Sequence, residues 1–344
     1  MSPASALRAG DRVLVTRLNY LGDVVLSLPV VDALCAAGAE VDYLTREPAA
    51  SLLRGDARIA RVIGWRDEGA AALRTLRELR SRRYRAVIDL YTNPRSAWLS
   101  YFSGAALRVG GNRRGRRLLY THRVDPPRAL AVNEVFLRYL EPLGVGRAGA
   151  TPVLRLSDAE REAAESLLMA AGARAGTAPR IGVHPGGKWA VKRWPAAHFA
   201  ELLRSLEHSG MRAVLFTGPD EVQATREVER MLGRDTVVLD ALPVRTVAAV
   251  ISRLDGMVAC DGGIMHTAAA VGTPTVGIFG SAQPSVWFPY EALGAHRAAY
   301  IEVDCRPCHR HVCPLGHTRC LNDLRPDRVR SVLDDVLARG MRRA

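Results

Sequence analysis

The stretch from Met257 to Gly280, MVACDGGIMHTAAAVGTPTVGIFG, constrains the fold more than any other. Met257 to Cys260 form a short apolar run, and Asp261-Gly262-Gly263 reads as a turn. Met265 to Val271 has helical composition, Gly272-Thr273-Pro274 stops that helix, and Thr275 to Phe279 reads as a second buried strand. A glycine turn that opens a helix presents backbone N–H groups and the positive end of the helix dipole to an anion. It is a candidate diphosphate seat. An ordinary βαβ turn with no ligand has the same composition, so the turn alone does not decide.

The same alternation runs along the whole chain. Residues 12–15 (RVLV) read as a buried strand, followed by a turn through Asn19 to Asp23 and a helix from Val24 to Ala37. Val41 to Leu44, Val62-Ile63 and Val87 to Leu90 read as further strands, and a longer helix runs from Asn133 to Leu143. Ser157-Asp158-Ala159-Glu160 is a capping-box start for a helix reaching Ala171, and the Gly- and Ala-rich segment from Gly172 to Pro179 reads as a linker. A second series then begins, with strands near 181–184, 213–217, 237–239, 256–259 and 275–279. Strands alternating with helices argue an α/β protein with parallel, doubly wound sheets. The restart predicts two Rossmann-like domains facing each other across a cleft, the first at 1–172 and the second at 173–325. Residues 326–344 read as an amphipathic helix with Val329, Val332, Leu333, Val336 and Leu337 on one side.

Composition narrows the class. At 344 residues with 48% hydrophobic and 24% charged residues, the chain has the make-up of a globular protein of two domains. It contains no apolar run long enough to span a bilayer and no secretory pattern at its start, which predicts a cytoplasmic protein. The formal net charge of +13 is carried mostly by arginine. A nucleic acid, an anionic membrane surface or a phosphorylated substrate could each use it. No reading helix or basic-aromatic motif is present, so nucleic acid ranks last. Arg113, Arg114, Arg116 and Arg117 lie in one loop-like segment between Arg108 and Arg123, and a second arginine cluster punctuates a helix over residues 74–85. Each could equally be a solvated face.

Two further segments carry chemistry. Gly22 and Asp23 open a helix just past the first strand, at the edge where open α/β sheets bind ligands. Asp23 there is a helix cap or a general base. In IGVHPGGKWAVKRWP, Gly186 and Gly187 follow a strand and Lys188, Lys192 and Arg193 surround Trp189 and Trp194. A flexible ammonium suits a phosphate as a point charge. Two phosphate-friendly loops at one edge of one domain point to a nucleotide diphosphate. Finally, Cys305, Cys308, Cys313 and Cys320 lie close together after a C-x2-C start, a usual metal-chelating spacing. A structural tetrathiolate zinc or iron site and a loop of free thiols are the two readings.

Four segments in order resemble the family 9 glycosyltransferases, the heptosyltransferases that extend lipopolysaccharide cores from ADP-heptose. They are RVLVTRLNYLGDVVLSLPVVDAL, HPGGKWAVKRWPAAHFAEL, VACDGGIMHTAAAVGTPTVGIFG and CRPCHRHVCPLGHTRCLNDLRPDRV. The resemblance implies a GT-B fold with the donor on the second domain, the C-terminal helix packing back on the first, and an inverting enzyme that needs no catalytic metal. It implies that Asp23 is the general base and that Lys192 holds the leaving diphosphate together with the amides at Gly262, Gly263 and the following turn. Asp261 would order this loop or meet sugar hydroxyls, with His266 and Thr267 within reach of phosphate or sugar. Gly186, Gly187 and Lys188 complete the implied donor set. Arg113, Arg114, Arg116 and Arg117 would face acceptor phosphates or an anionic inner membrane, with the enzyme peripheral on its cytoplasmic face. Some relatives carry a cysteine-bound iron, which brings iron beside zinc for the four cysteines. One departure is clear: many relatives have Ser or Thr before the tryptophan of the PGxxW segment, where this chain has Lys188. The alternatives are another donor sugar, a protein, O-antigen or capsule acceptor, or a non-catalytic nucleotide-binding shell.

Overall fold

The computed structural model describes residues 6–341 apart from 68, 128, 148, 177, 219–221 and 233–235. Thr177 of the expected linker and residues 342–344 of the expected terminal helix lie outside the described residues. The chain divides into two units, Met1–Arg155 and Leu156–Ala344.

The first unit holds β1 (Arg12–Thr16), β2 (Glu40–Thr45), β3 (Ile59–Gly64), β4 (Ala86–Asp89), β5 (Leu107–Gly111) and β6 (His122–Val124). The second holds β7 (Arg180–His184), β8 (Arg212–Phe216), β9 (Val237–Leu239), β10 (Gly256–Cys260), β11 (Thr275–Ile278) and β12 (His296–Ala299). All pairings are parallel, in the orders β3-β2-β1-β4-β5-β6 and β12-β11-β10-β7-β8-β9. Numbered from its own first strand, each sheet reads 3-2-1-4-5-6, the Rossmann order. The central strands are buried along nearly their whole length, as sheets covered on both faces require.

Each order reverses between the unit's first and fourth strands, β1 and β4 or β7 and β10. There the outgoing chains diverge to opposite faces and leave a crevice beyond the strands' carboxyl ends. The loop after β1 leads into the helix turn that carries Asp23, and the loops after β7 and β10 carry Gly186-Gly187 and Asp261-Gly262.

Three local expectations are corrected, and one strand is new. The helix expected over 24–37 is two helices, Leu21–Leu26 and Leu28–Ala36, meeting at Ser27, whose hydroxyl bonds Val24 O and Tyr43 Oη; Pro29 lies in the first turn of the second. The helix expected over 133–143 is α-helical only from Val132 to Leu137 and tightens to a 3-10 helix over Arg138–Leu143, which contains Pro142 with no N–H to donate. The basic loop contains β5 and β6, short strands whose arginines hid their apolar alternation. Strand β12 (HRAA) has no apolar run at all, and only its pairing with β11 defines it.

The division between the units falls before the helix Asp158–Ala170. That helix packs on Val244–Ile251 of the second unit and is tied there by ion pairs: Glu160 to Arg245 at 2.5 Å, and Glu165 to Arg180 at 2.7 Å and Arg253 at 3.1 Å. On the other side of the boundary, buried Arg58 bonds Val153 O at 2.6 Å and pairs with Asp56 and Asp32. The terminal helix Pro326–Met341 also finds its place in the second unit. Val329, Leu333 and Val336 are fully buried with Ile181, Val258 and Val276. The apolar stripe of the helix is thus covered by its own sheet. Leu333→Ala should cost about 2–5 kcal/mol through lost burial and the residual cavity.

Candidate active site at the strand ends

In the second unit, Lys192 ends the short 3-10 turn Ala190–Lys192, and its Nζ lies 2.6 Å from Oδ2 of buried Asp261. The pairing of β7 with β10, with Ala259 opposite His184, sets the loops that follow them side by side. Gly280 keeps the lysine turn seated: a Cβ there would lie 2.6 Å from Val191 O. Asp261 N–H is held by Ile278 O at 2.9 Å, which fixes the turn before the helix Gly263–Ala270. The first backbone N–H groups of that helix have no partner within it, so they and the nearby ammonium form a cationic edge.

His266 is buried, and its Nδ1 lies 3.1 Å from Tyr290 Oη. Burial, and then the charge of Lys192, push its pKa down to about 3. The imidazole is therefore neutral at physiological pH and adds no positive charge to the edge. Thr267 is also buried, and its hydroxyl donates to Gly263 O at 2.9 Å inside its own helix. Gly186 and Gly187 are buried, with Gly187 O accepting from Arg193 Nε at 2.6 Å. Lys188 is exposed, 5.8 Å from the Trp189 ring centre, and Lys192 lies 5.2 Å from the same ring. The other contact of that ring was not legible in sequence: His311, from the cysteine segment, stacks on Trp189 at 3.9 Å and 4°.

In the first unit, Asp23 sits in the first turn of Leu21–Leu26 and is mostly buried. Its Oδ2 accepts from Tyr20 N–H at 3.3 Å, the capping contact expected of an aspartate there. Its Oδ1 accepts from Arg17 Nη2 at 2.5 Å. The guanidinium of Arg17 is held in turn by Leu90 O at 3.1 Å and by the rings of Tyr91 and Phe136 at 4.8 and 5.5 Å. Arg17 was not singled out from the sequence; a cation between a strand end and the glycine turn is the one signal that could have found it. Asp89, at the end of β4, also emerges only in the structure. It is fully buried and accepts from Tyr120 Oη at 2.7 Å and from the Tyr91 and Thr92 amides at 3.0 and 2.9 Å. Burial raises its pKa, and those donors oppose the rise. Its work is to shape the loop that carries Tyr91 against Arg17.

Arg113, Arg114 and Arg117 are exposed and Arg116 is half-buried on the turn between β5 and β6. Burial raises the Tyr139 pKa, Asp89 adds to the rise, and Arg113 and Arg17 both oppose it.

Cys305, Cys308, Cys313 and Cys320 line one cavity of about 30 Å³ together with Val191, Arg306 and His317. Backbone N–H groups of Thr318, then Leu315, His317 and Gly316, lower the Cys313 pKa. Burial and the three other sulfurs raise that of Cys320. Among the described residues, no three His, Cys, Asp or Glu side chains stand in metal-holding geometry. The expected four-ligand site is thus present as a shared cavity of thiols rather than as a closed coordination shell. The segment is buttressed on the loop after β11: Ser281 O accepts from the Cys308 and His309 amides, and Arg306 bonds Gly280 O and Ala282 O. Among the described residues, no helix is long and apolar enough to cross a membrane.

The chain is similar to lipopolysaccharide heptosyltransferase 1 of Pseudomonas aeruginosa, 27% identical across 95% of this chain and 98% of that protein. It is also 27% identical to lipooligosaccharide heptosyltransferase 2 of Campylobacter jejuni, where the similar stretch spans 43% of this chain and 48%, about half, of that protein. Among solved structures, the Escherichia coli ADP-heptose LPS heptosyltransferase II superposes with a TM-score of 0.78 at 23% identity, covering 97% of this chain and all of that one. E. coli heptosyltransferase WaaC with ADP-2-deoxy-2-fluoro heptose gives 0.71 at 20% identity over 94% and 99% of the two chains. The iron-containing dodecameric glycosyltransferase TibC of enterotoxigenic E. coli gives 0.59 at 14% identity over 98% and 81%. These likenesses fix the fold as GT-B-like, in keeping with two sheets of identical order in one chain. The family model for glycosyltransferase family 9 (heptosyltransferase) covers residues 72–319, from the first unit through the loops after β7 and β10 to the cysteine segment, and the chain belongs to that family.

Proposed function

We propose that this chain is an inverting glycosyltransferase that moves a heptose from ADP-heptose to a lipopolysaccharide core or related saccharide acceptor. The observation that carries the reading is the Lys192–Asp261 pair at the carboxyl edge of β7 and β10, beside the N-terminus of Gly263–Ala270. An incoming diphosphate competes with Asp261 for the ammonium and meets the Gly262, Gly263 and following amides. Charge that grows on the leaving diphosphate as the glycosidic bond breaks is stabilised there without any movement of the protein. Gly186 and Gly187 leave backbone room beside the phosphates, and Lys188 adds a second, solvent-facing cation. Asp261 keeps the lysine aimed, and neutral His266 spaces the helix turn from Tyr290. Thr267 caps the fit through its helix bond and leaves the phosphate to the backbone.

Asp23 accepts the proton of the acceptor hydroxyl as that oxygen attacks the anomeric carbon from the face opposite the diphosphate, which inverts the configuration. Arg17 holds the carboxylate in place. Arg113, Arg114, Arg116 and Arg117 offer charge to acceptor phosphates or to the anionic headgroups of the inner membrane's cytoplasmic face. The names of the relatives and the ADP-heptose analogue bound in one of the solved structures support the donor.

Cys305, Cys308, Cys313 and Cys320 would hold a structural zinc or iron. Four soft donors around one small cavity, one of them lowered by backbone N–H groups, suit such an ion. It would pin the segment that stacks His311 on Trp189. Metal analysis of the purified chain should find about one equivalent, removed by a chelator with a fall in Tm; a metal-free chain of unchanged Tm would leave a loop of thiols.

Thermal unfolding with ADP, UDP, GDP and ADP-heptose tests the donor. A ligand at about 100 times its Kd should add about 2.7 kcal/mol of stability. Stabilisation by ADP and ADP-heptose alone is expected. A shift with UDP or GDP alone would replace the donor, and no shift with any would leave a non-catalytic shell.

A further inference from the structure

In the first unit, large apolar side chains stand together in solvent. Trp98, Tyr101 and Phe102 follow one another on one face of the helix Pro94–Phe102 and are 50%, 46% and 45% exposed. The opposite face, with Ser96, Ala97, Leu99 and Ser100, is buried. The three exposed rings pack on one another: Trp98 and Phe102 stack at 5.5 Å, and Tyr101 meets both edge-on at 5.9 and 5.6 Å. Leu118, 75% exposed, lies on the 3-10 turn Arg117–Leu119 that packs against this helix. The sequence pattern does not predict it, because PRSAWLSYF gives the helix apolar residues on both faces.

One arginine borders the rings, and others lie along the adjoining turn. Arg108 lies 5.6 Å from the Tyr101 ring centre, its guanidinium held by Leu119 O and Ala105 O. Exposed Arg113, Arg114 and Arg117 lie on the chain that leads into the Leu118 turn. A contiguous apolar patch with a polar rim marks an interaction surface. Tryptophan and tyrosine with a basic rim match the interfacial layer of a bilayer, where rings sit at headgroup depth and cations meet lipid phosphates. A second copy of this chain is the weaker occupant. A two-fold contact sets a patch against itself and would press one arginine turn against another in a chain of net charge +13.

We propose that this face is a membrane-docking wedge: Trp98, Tyr101, Phe102 and Leu118 enter the interfacial layer of an anionic bilayer while Arg113, Arg114 and Arg117 bind its phosphates. The proposal rests on the reading of the basic turn as a surface for anionic groups and adds the apolar element that inserts.

The test is flotation of the full-length chain with phosphatidylcholine vesicles, with and without phosphatidylglycerol, read together with quenching of tryptophan fluorescence by brominated lipid. Far-UV circular dichroism and the urea midpoint, compared with those of the parent, check the folding of every variant. Binding to anionic vesicles is expected, with quenching that Trp98→Phe removes. A Trp98→Ser, Phe102→Ser, Leu118→Ser variant should bind roughly tenfold more weakly, and Arg113→Gln, Arg114→Gln, Arg117→Gln should abolish the preference for anionic lipid. Salt-sensitive binding that shows no quenching and is unchanged in the serine variant would overturn insertion while leaving the basic surface standing. No binding to either vesicle would overturn both. Self-association lost in the serine variant, without vesicle binding, would overturn the wedge in favour of a second copy.

Discussion

The two units share one strand order but hold charge at their switch points in opposite ways. In the first, an acid ends a fixed chain: Asp23 is bound by Arg17, which two rings and a carbonyl hold. In the second, a cation is the exposed end: Lys192 is bound by Asp261, which a backbone bond holds. A planar guanidinium with several partners fixes a carboxylate's orientation, whereas an ammonium on a flexible stem can trade a carboxylate for a phosphate. On the proposed function, one scaffold would serve two tasks, proton acceptance and anion capture, by exchanging which partner is anchored.

The largest effect should come from Asp23→Ala. Turnover of an ADP-heptose donor should fall about 10²–10⁴-fold, the usual contribution of a positioned base, as measured by ADP release. Residual activity within twofold of the parent would remove Asp23 from the chemistry. Lys192→Ala should lower kcat by roughly 10²–10³-fold and weaken ADP as well, since it acts on charge that is present in the bound state and grows in the transition state. Arg17→Met should lower kcat roughly tenfold with KM for the donor unchanged, because it loosens the acid and touches no donor group. A matching rise in donor KM would merge the two sites that the comparison separates.

The smallest effect concerns His266. Its pKa of about 3 in the folded chain lies below the ordinary value of 6.5, so the unfolded chain takes up a proton first as pH falls. Stability is therefore full above pH 6.5 and is lost progressively toward pH 3, by an amount on the order of a few kcal/mol. Urea unfolding of the parent and of His266→Gln across that window should show a steeper decline in the parent. Parallel curves would mean that the histidine is not held neutral.

Much of this was legible in the sequence, for physical reasons. Buried parallel strands are written as apolar runs, so RVLV, RIGVH and GMVAC mark β1, β7 and β10 without ambiguity, and the glycine turns after them mark the switch points. Lys192 and Asp261 were named separately as donor residues, and the fold brings them to one ion pair. Less legible was whatever depends on partners distant in sequence. Arg17 gains its meaning from Tyr91 and Phe136, Asp89 from Tyr120, and Trp189 from His311. The attachment of the helix Asp158–Ala170 to the second unit rests on Glu160 and Glu165, whose partners Arg245, Arg180 and Arg253 lie far along the chain. The wedge residues Trp98, Tyr101 and Phe102 look like core in sequence, since only the packing of Ser96 and Ser100 inward turns them out.

The most direct test of the division between the units is calorimetric titration of ADP-heptose into Asp23→Ala and Lys192→Ala, set beside their turnover. The account predicts a Kd for Asp23→Ala equal to the parent's despite lost turnover, and a Kd for Lys192→Ala weakened roughly tenfold or more. Donor binding lost in Asp23→Ala, or kept at full strength in Lys192→Ala, would contradict it.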